Sequence, residues 1–211
     1  MSARDEVLDR LQAAIGTSTE PPIARQYATT GTAALGDPAL LDLLDERISD
    51  YAATVHRSTA ADLPATVSRV LRDGQASRVG LAAGLPPGWQ PTARDALTLA
   101  VDSAALGVAE LDALDGVVTG CAVAIAVTGT LVLDGSPLCG RRALTLVPDL
   151  HLCIVRLDQI VETVPEAIAR LDPTRPLTFI SGPSATSDIE LERVEGVHGP
   201  RTLHVILITD G

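Results

Sequence analysis

The chain has 211 residues, 46% of them apolar but only 2% aromatic, and a formal net charge of -11. That charge disfavours binding to phosphate backbones, where affinity rests on cations that release counterions, so no nucleic acid is expected as a partner. All 16 basic residues are arginine, which excludes a Schiff-base lysine, a lysine nucleophile and a phosphate loop of the Walker type.

A chain of this size buries roughly 70% of its unfolded surface, and with so few aromatics the core must be filled by Leu, Val, Ile and Ala packed in layers. Val7, Leu8, Leu11 and Ile15 recur at helical spacing and Gly16 closes the segment, which predicts an amphipathic helix. Gly16 to Tyr27 has the composition of a linker. Asp37 then caps and Pro38 opens a second helix, with Leu40, Leu41, Leu44, Ile48 and Tyr51 inward. These stretches form a predicted helical N-terminal extension over residues 1–50, ahead of an α/β domain over 51–211.

From residue 52 short apolar runs alternate with helices. Strands are predicted over Ala53–His56, Ala76–Leu81, Leu97–Val101, Gly116–Val127, Thr130–Leu133, His151–Arg156, Leu177–Ile180 and Leu203–Ile208. Helices are predicted over Asp62–Leu71, Val108–Leu114, Gln159–Leu171 and Asp188–Val194. Strands alternating with helices imply an α/β fold with a largely parallel sheet covered on both faces.

The start of the chain, Met1-Ser2-Ala3-Arg4-Asp5-Glu6, is polar and quickly acidic, unlike a secretory leader. The apolar stretch from Cys121 to Leu133 is broken by Thr128-Gly129 and is shorter than the ~20 residues of a membrane helix. A cytoplasmic protein without membrane insertion is expected. Cys121, Cys139 and Cys153 are odd in number and widely spaced, with no Cys-x-x-Cys. They indicate neither a disulfide framework nor a zinc or iron-sulfur site, and Cys121 and Cys153 read as buried thiols. No metal site and no cofactor of the chain's own is evident.

The polar chemistry concentrates in the last third, in two Gly-Pro loops. The first is Ser181-Gly182-Pro183-Ser184-Ala185-Thr186-Ser187-Asp188, and the second is Gly196-Val197-His198-Gly199-Pro200-Arg201. Gly182 permits a tight turn, and amides with the hydroxyls of Ser181, Ser184 and Thr186 could cradle a phosphate or carboxylate. Ser187-Asp188-Ile189-Glu190 is equally a capping box that merely starts a helix. His198, on a turn before Gly199 and Pro200, suits a proton carrier or a hydrogen bond that fixes the turn. His56, His151 and His204 lie in strand-like runs and read as satisfied core or edge histidines. Arg142, beside Arg141, suits a carboxylate clamp or a solvated pair. Gly129, between Thr128 and Thr130 in an apolar run, marks a close backbone approach by a ligand or by a packed neighbour. In open parallel sheets ligands bind beyond the carboxyl ends of strands, where Ser181 to Ser184 would fall.

These loops, read with Thr128-Gly129-Thr130, resemble the lactate utilisation protein C family, the small members of the LUD-domain group. The likeness is strongest over Gly116–Asp134, Arg141–Arg156 and Phe179–Val205. It implies a Rossmann-like sheet of the type shared by glucosamine-6-phosphate deaminase, ribose-5-phosphate isomerase and coenzyme A transferases. It further implies an accessory role in oxidising L-lactate to pyruvate beside iron-sulfur partner proteins, with the clusters on the partners. Family members usually carry Ala-Glu-Thr-Gly-Thr where this chain has Ala126-Val127-Thr128-Gly129-Thr130. Val127 cannot serve as the glutamate nucleophile of the related transferases, so any such role would fall to Asp134, Asp188 or Glu190.

Two functions follow. The first is an accessory lactate-utilisation component that binds a small anionic or nucleotide-like ligand through Thr128, Gly129, Thr130, Arg142, Ser181, Gly182, Ser184, Thr186 and Gly199. The alternative is a free-standing isomerase or transferase acting on a phosphorylated or carboxylated metabolite, with His198 as acid or base and Asp188 as its orienter.

Overall fold

Short apolar runs, buried on both faces, build the centre of this protein. The computed structural model describes residues 2–16, 23–92, 97–186, 194–195 and 199–210. Six strands, β1 (Thr54–Ser58), β2 (Arg78–Leu81), β3 (Thr98–Val101), β4 (Gly116–Gly120), β7 (Leu150–Arg156) and β12 (Thr202–Ile208), form one sheet in the order β1-β12-β7-β4-β2-β3. Every pairing in it is parallel. Val55 pairs with Val205 and Val205 with Cys153, while Leu81 pairs with Val118 and Val118 with Leu152. The central strands β4, β7 and β12 carry near-continuous apolar sequence because neither face meets water, whereas the edge strand β3 is mostly exposed and the other edge strand, β1, is partly so. The expected α/β fold with a largely parallel sheet is present.

One face is covered by α3 (Leu63–Asp73), whose Leu63, Val67, Val70 and Leu71 follow helical spacing into a core with Leu152, Ile154, Ile206 and Ile208. The short α4 (Val108–Asp112) adds Leu111 to that core.

The other face is covered by a second sheet that the sequence did not reveal. Its strands are β5 (Val123–Ile125), β6 (Thr130–Leu133), β8 (Ile160–Val161) and β9 (Thr178–Ile180), in the order β8-β5-β6-β9. The predicted strand Gly116–Val127 is therefore two strands in two layers, since the chain leaves the large sheet at Gly120 and enters the small one at Val123. A 3-10 turn at Ala126–Thr128 and the left-handed Gly129 reverse it into β6. Ala124, Leu131 and Leu133 pack with Cys153, Val155, Val205 and Leu207 between the sheets.

Of the N-terminal helices, α1 (Ala3–Ile15) is capped by Ser2 and Asp5 and buries no residue. By contrast α2 (Pro38–Asp50), capped by Asp37, places Leu40, Leu41, Leu44 and Ile48 in the core between the sheets. Each such side chain contributes roughly 1.5–3 kcal/mol. Tyr51 is exposed. The segment ahead of α2 is tethered by two carboxylates: Glu162 accepts from the amides of Thr32 and Ala33, and Glu166 from that of Gly31.

The predicted helix Gln159–Leu171 is shorter than its periodicity suggested. Gln159 ends a 3-10 turn, Ile160–Val161 is β8, and α5 (Val164–Arg170) begins only after Thr163. Thr163 and Glu166 form a capping box and Pro165 sits in the first turn, which together set the start. Ala167 packs with Val123, Ile125, Val132 and Val161 beneath the small sheet, while Val164 and Ile168 are exposed. The predicted helix Asp188–Val194 lies outside the described residues except for Val194, which is in a strand: β10 (Ala185–Thr186) pairs antiparallel with β11 (Val194–Glu195).

All three cysteines are free and buried. A hydrogen bond with Cys153, reinforced by burial, pushes the Cys121 thiol well up, and burial pushes Cys139 up to about 12. Among the described residues no helix is long and apolar enough to cross a membrane.

Candidate ligand-binding site

The two Gly-Pro loops meet. Gly182 has φ +104°, and a Cβ on it would lie 2.8 Å from the Tyr51 carbonyl oxygen, so only glycine lets the chain pass the end of α2 here. Beyond Pro183 the Ser184 amide donates to the Pro200 carbonyl at 2.8 Å, tying the first loop to the second. Gly199 faces Ser184 across this junction, with its Cβ position 3.6 Å from the serine Cβ.

Together with the 3-10 turn Arg142–Thr145 and the first residues of β7 and β12, the loops enclose a cavity of about 220 Å³. Its polar wall is Arg142, Thr145, His151, Ser181 and Ser184, and Phe179, Ile180 and Leu203 supply apolar surface. Of the residues singled out in the sequence, Arg142, Ser181, Gly182, Ser184 and Gly199 are thus brought together. Thr186 falls in β10, while His198 and Asp188 lie outside the described residues, as do Ser187 and Glu190.

The cavity does not lie beyond the carboxyl ends of the parallel strands. It sits at the amino ends of β7 and β12, beside His151 and Leu203. The loop Ser181–Ser184 does follow a strand, but that strand is β9, which pairs antiparallel with β6 in the small sheet, and the loop lies at the amino ends of β7 and β12 in the large one.

Thr128, Gly129 and Thr130 are not in the cavity wall. Gly129 has φ +58°, and its Cβ position lies 2.7 Å from the Arg47 carbonyl carbon and 2.9 Å from the Ile48 amide nitrogen. The close approach is that of helix α2. The flanking hydroxyls form a chain, with Thr128 Oγ1 2.8 Å from Thr130 Oγ1 and the latter 2.7 Å from Ser181 Oγ, so they support the loop from behind. Val127 is 41% exposed on the same turn, and its amide donates to the Glu162 carbonyl.

The arginine pair divides. Arg141 is occupied by buried Asp102, which accepts from its amide and from Nε, both at 2.8 Å. Arg142 faces the cavity, held by longer bonds of 3.3 Å from Nη1 to the carbonyl and hydroxyl oxygens of Thr145. Asp134 is elsewhere: burial is outweighed by bonds from Ser136, Cys139 and Arg175 that hold its carboxyl at about 2, which suits a structural ion pair.

His151 is the residue whose place in the cavity sequence reasoning missed. It is 1% exposed, its Nε2 lies 2.8 Å from Thr119 Oγ1, and it lines the cavity. Burial first, and the Arg142 charge second, lower it to about 4, so the ring is neutral near pH 7. The available signal was polarity: His151 faces the same side as Cys153 and Val155 in a strand that is apolar apart from its terminal Arg156. His56 and His204 are by contrast a half-buried pair on β1 and β12, with Nε2 and Nδ1 3.1 Å apart, and burial is the main cause lowering both. Among the described residues no three His, Cys, Asp or Glu side chains converge to hold a metal ion.

The cavity thus brings one guanidinium, several hydroxyls and an imidazole together on an α/β domain. The chain belongs to the LUD domain family, whose model matches residues 41–208. It is 46% identical over 210 residues to lactate utilization protein C of Deinococcus radiodurans, covering 98% of this chain and 95% of the relative. It is 30% identical over 181 residues to the protein of that name from Geobacillus kaustophilus, covering 80% of this chain and 73% of the relative. The crystal structure of a DUF162 family protein from Deinococcus radiodurans superposes with a TM-score of 0.69 at 43% identity, over 81% of this chain and 97% of that one.

Proposed function

We propose that this protein acts in lactate utilisation, as an accessory component beside iron-sulfur proteins that oxidise L-lactate to pyruvate, and that it binds a small anion in the cavity between its Gly-Pro loops. The near full-length likeness to relatives called lactate utilization protein C supports the pathway. The observation that carries the ligand class is Arg142 at a hydroxyl-lined cavity with no carboxylate among its lining residues, in a chain of net charge -11. At about 220 Å³ the space falls below the ~300–1,000 Å³ of pockets for drug-sized ligands, which favours a small anion over a nucleotide.

Deletion of the gene tests the pathway. Growth on L-lactate as sole carbon source is expected to fail and to return with the wild-type gene, and the tagged protein is expected to copurify with iron-sulfur proteins. Unchanged growth together with purification free of any such partner would remove the accessory role and move an isomerase or transferase reading to first place.

A further inference from the structure

The imidazole of His151 is oriented on one side only. Its Nε2 is engaged by Thr119 Oγ1 at 2.8 Å, and Thr119 is itself wholly buried. Among the described residues its Nδ1 has no hydrogen-bond partner, yet no side-chain nitrogen or oxygen shut away from solvent lacks one, so Nδ1 reaches the cavity surface. A ring this buried, locked from behind and open in front, is built to meet something inside the cavity.

We infer that His151 contacts the ligand directly and that, with Arg142, it selects a small carboxylate bearing a hydroxyl or carbonyl oxygen on the neighbouring carbon. This rests on the reading of the cavity as the protein's anion site. Arg142 offers a planar fork to the carboxylate. Arg142 and His151 line the same small cavity of about 220 Å³, so an anion held by the guanidinium presents its neighbouring oxygen to the ring. The Thr119 hydroxyl can donate to or accept from Nε2, and Nδ1 correspondingly presents an N–H or a lone pair. A ligand hydroxyl satisfies either tautomer and a carbonyl oxygen only the N–H form. A plain carboxylate satisfies Arg142 and leaves the ring nitrogen unpaired, which a buried site penalises. Thr119 acts through His151 and is a positioning residue.

The test uses the full-length protein with ¹⁵N-labelled histidine, whose four rings are separable by NMR, titrated with L-lactate, pyruvate, propionate and inorganic phosphate. L-lactate and propionate differ only by the hydroxyl. Saturable movement of the His151 ring signals by L-lactate is expected, with propionate weaker by about tenfold or more. Arg142→Gln is expected to weaken both, and His151→Asn to bring the two to similar affinity. Should His151→Asn fail to fold, as circular dichroism would show, Thr119→Val keeps the imidazole but frees it, and is expected to change its tautomer signature and reduce the discrimination. Equal affinity for propionate and L-lactate, or His151 signals that stay fixed while a probe binds, would overturn the role of His151 and leave the anion site standing. Binding of phosphate alone would overturn the carboxylate class. Binding of no probe would overturn both, while the growth phenotype above would still decide the pathway separately.

Discussion

Acid should destabilise this protein through His151 in a way that one substitution can isolate. The ring sits at about 4 when folded against 6.5 when free, a difference of about 2.5 units set chiefly by burial. Because the folded value is depressed, the unfolded chain binds the proton first. The stability associated with the neutral ring is complete above pH 6.5, is lost as pH falls from 6.5 towards 4, and changes no further below that. At about 1.4 kcal/mol per unit, the full loss is about 3 kcal/mol, of which roughly 2 kcal/mol falls between pH 7 and 4.5. Asp134 does not mimic this, since the bonds that hold its carboxyl at about 2 keep it ionised across that range. Urea unfolding of wild type and His151→Gln at pH 7, 6, 5 and 4.5 reads the effect as the difference between the two proteins, which removes the shared contributions of His56 and His204. The wild-type advantage should shrink by roughly 2 kcal/mol across that range. A difference that stays constant with pH would show that the ring is not buried neutral.

Three further outcomes follow from the packing. Gly129→Ala must hold a left-handed φ of +58° and push a methyl to 2.7 Å from the Arg47 carbonyl carbon, so a loss of about 2 kcal/mol or more is expected in chemical unfolding. Asp102→Ala removes the carboxylate that accepts from the Arg141 amide and Nε, and should cost about 2 kcal/mol by the same assay, with a wild-type-like midpoint counting against the pair's structural role. Val127→Glu places a carboxylate on an exposed turn outside the cavity, so stability should change by no more than about 0.5 kcal/mol and L-lactate affinity not at all. A large change in that affinity would mean that the Thr128–Thr130 turn reaches the ligand.

The central sheet was legible because parallel strands buried on both faces write near-continuous apolar runs, as in Leu150–Arg156 and Thr202–Ile208. The Asp37-Pro38 start of α2 and its Leu40, Leu41, Leu44 and Ile48 stripe were legible for similar local reasons. The second sheet was not, because the layer change at Gly120–Val123 has no polar break and one apolar run serves two sheets. In the same way periodicity over Ile160–Leu171 concealed a strand, and only the Thr163-x-x-Glu166 box marked where the helix begins. At the site, the contact of the two Gly-Pro loops through Ser184 and Pro200 matched the clustering of their residues in sequence. His151 did not stand out, since a histidine in a buried strand looks the same whether its free nitrogen meets a core partner or a cavity. Gly129 announced a close approach, but the backbone it approaches lies about eighty positions earlier and only tertiary structure identifies it.

The measurement that bears most directly on the proposed role is lactate-dependent dye reduction by purified iron-sulfur proteins of the kind proposed as its partners, run alone, with this protein, and with its Arg142→Gln, Ser184→Ala double variant. A rate that rises only with the intact protein is expected, because the role assigned here runs through the cavity those two residues line. Equal rates in all three reactions would contradict an accessory function in lactate oxidation.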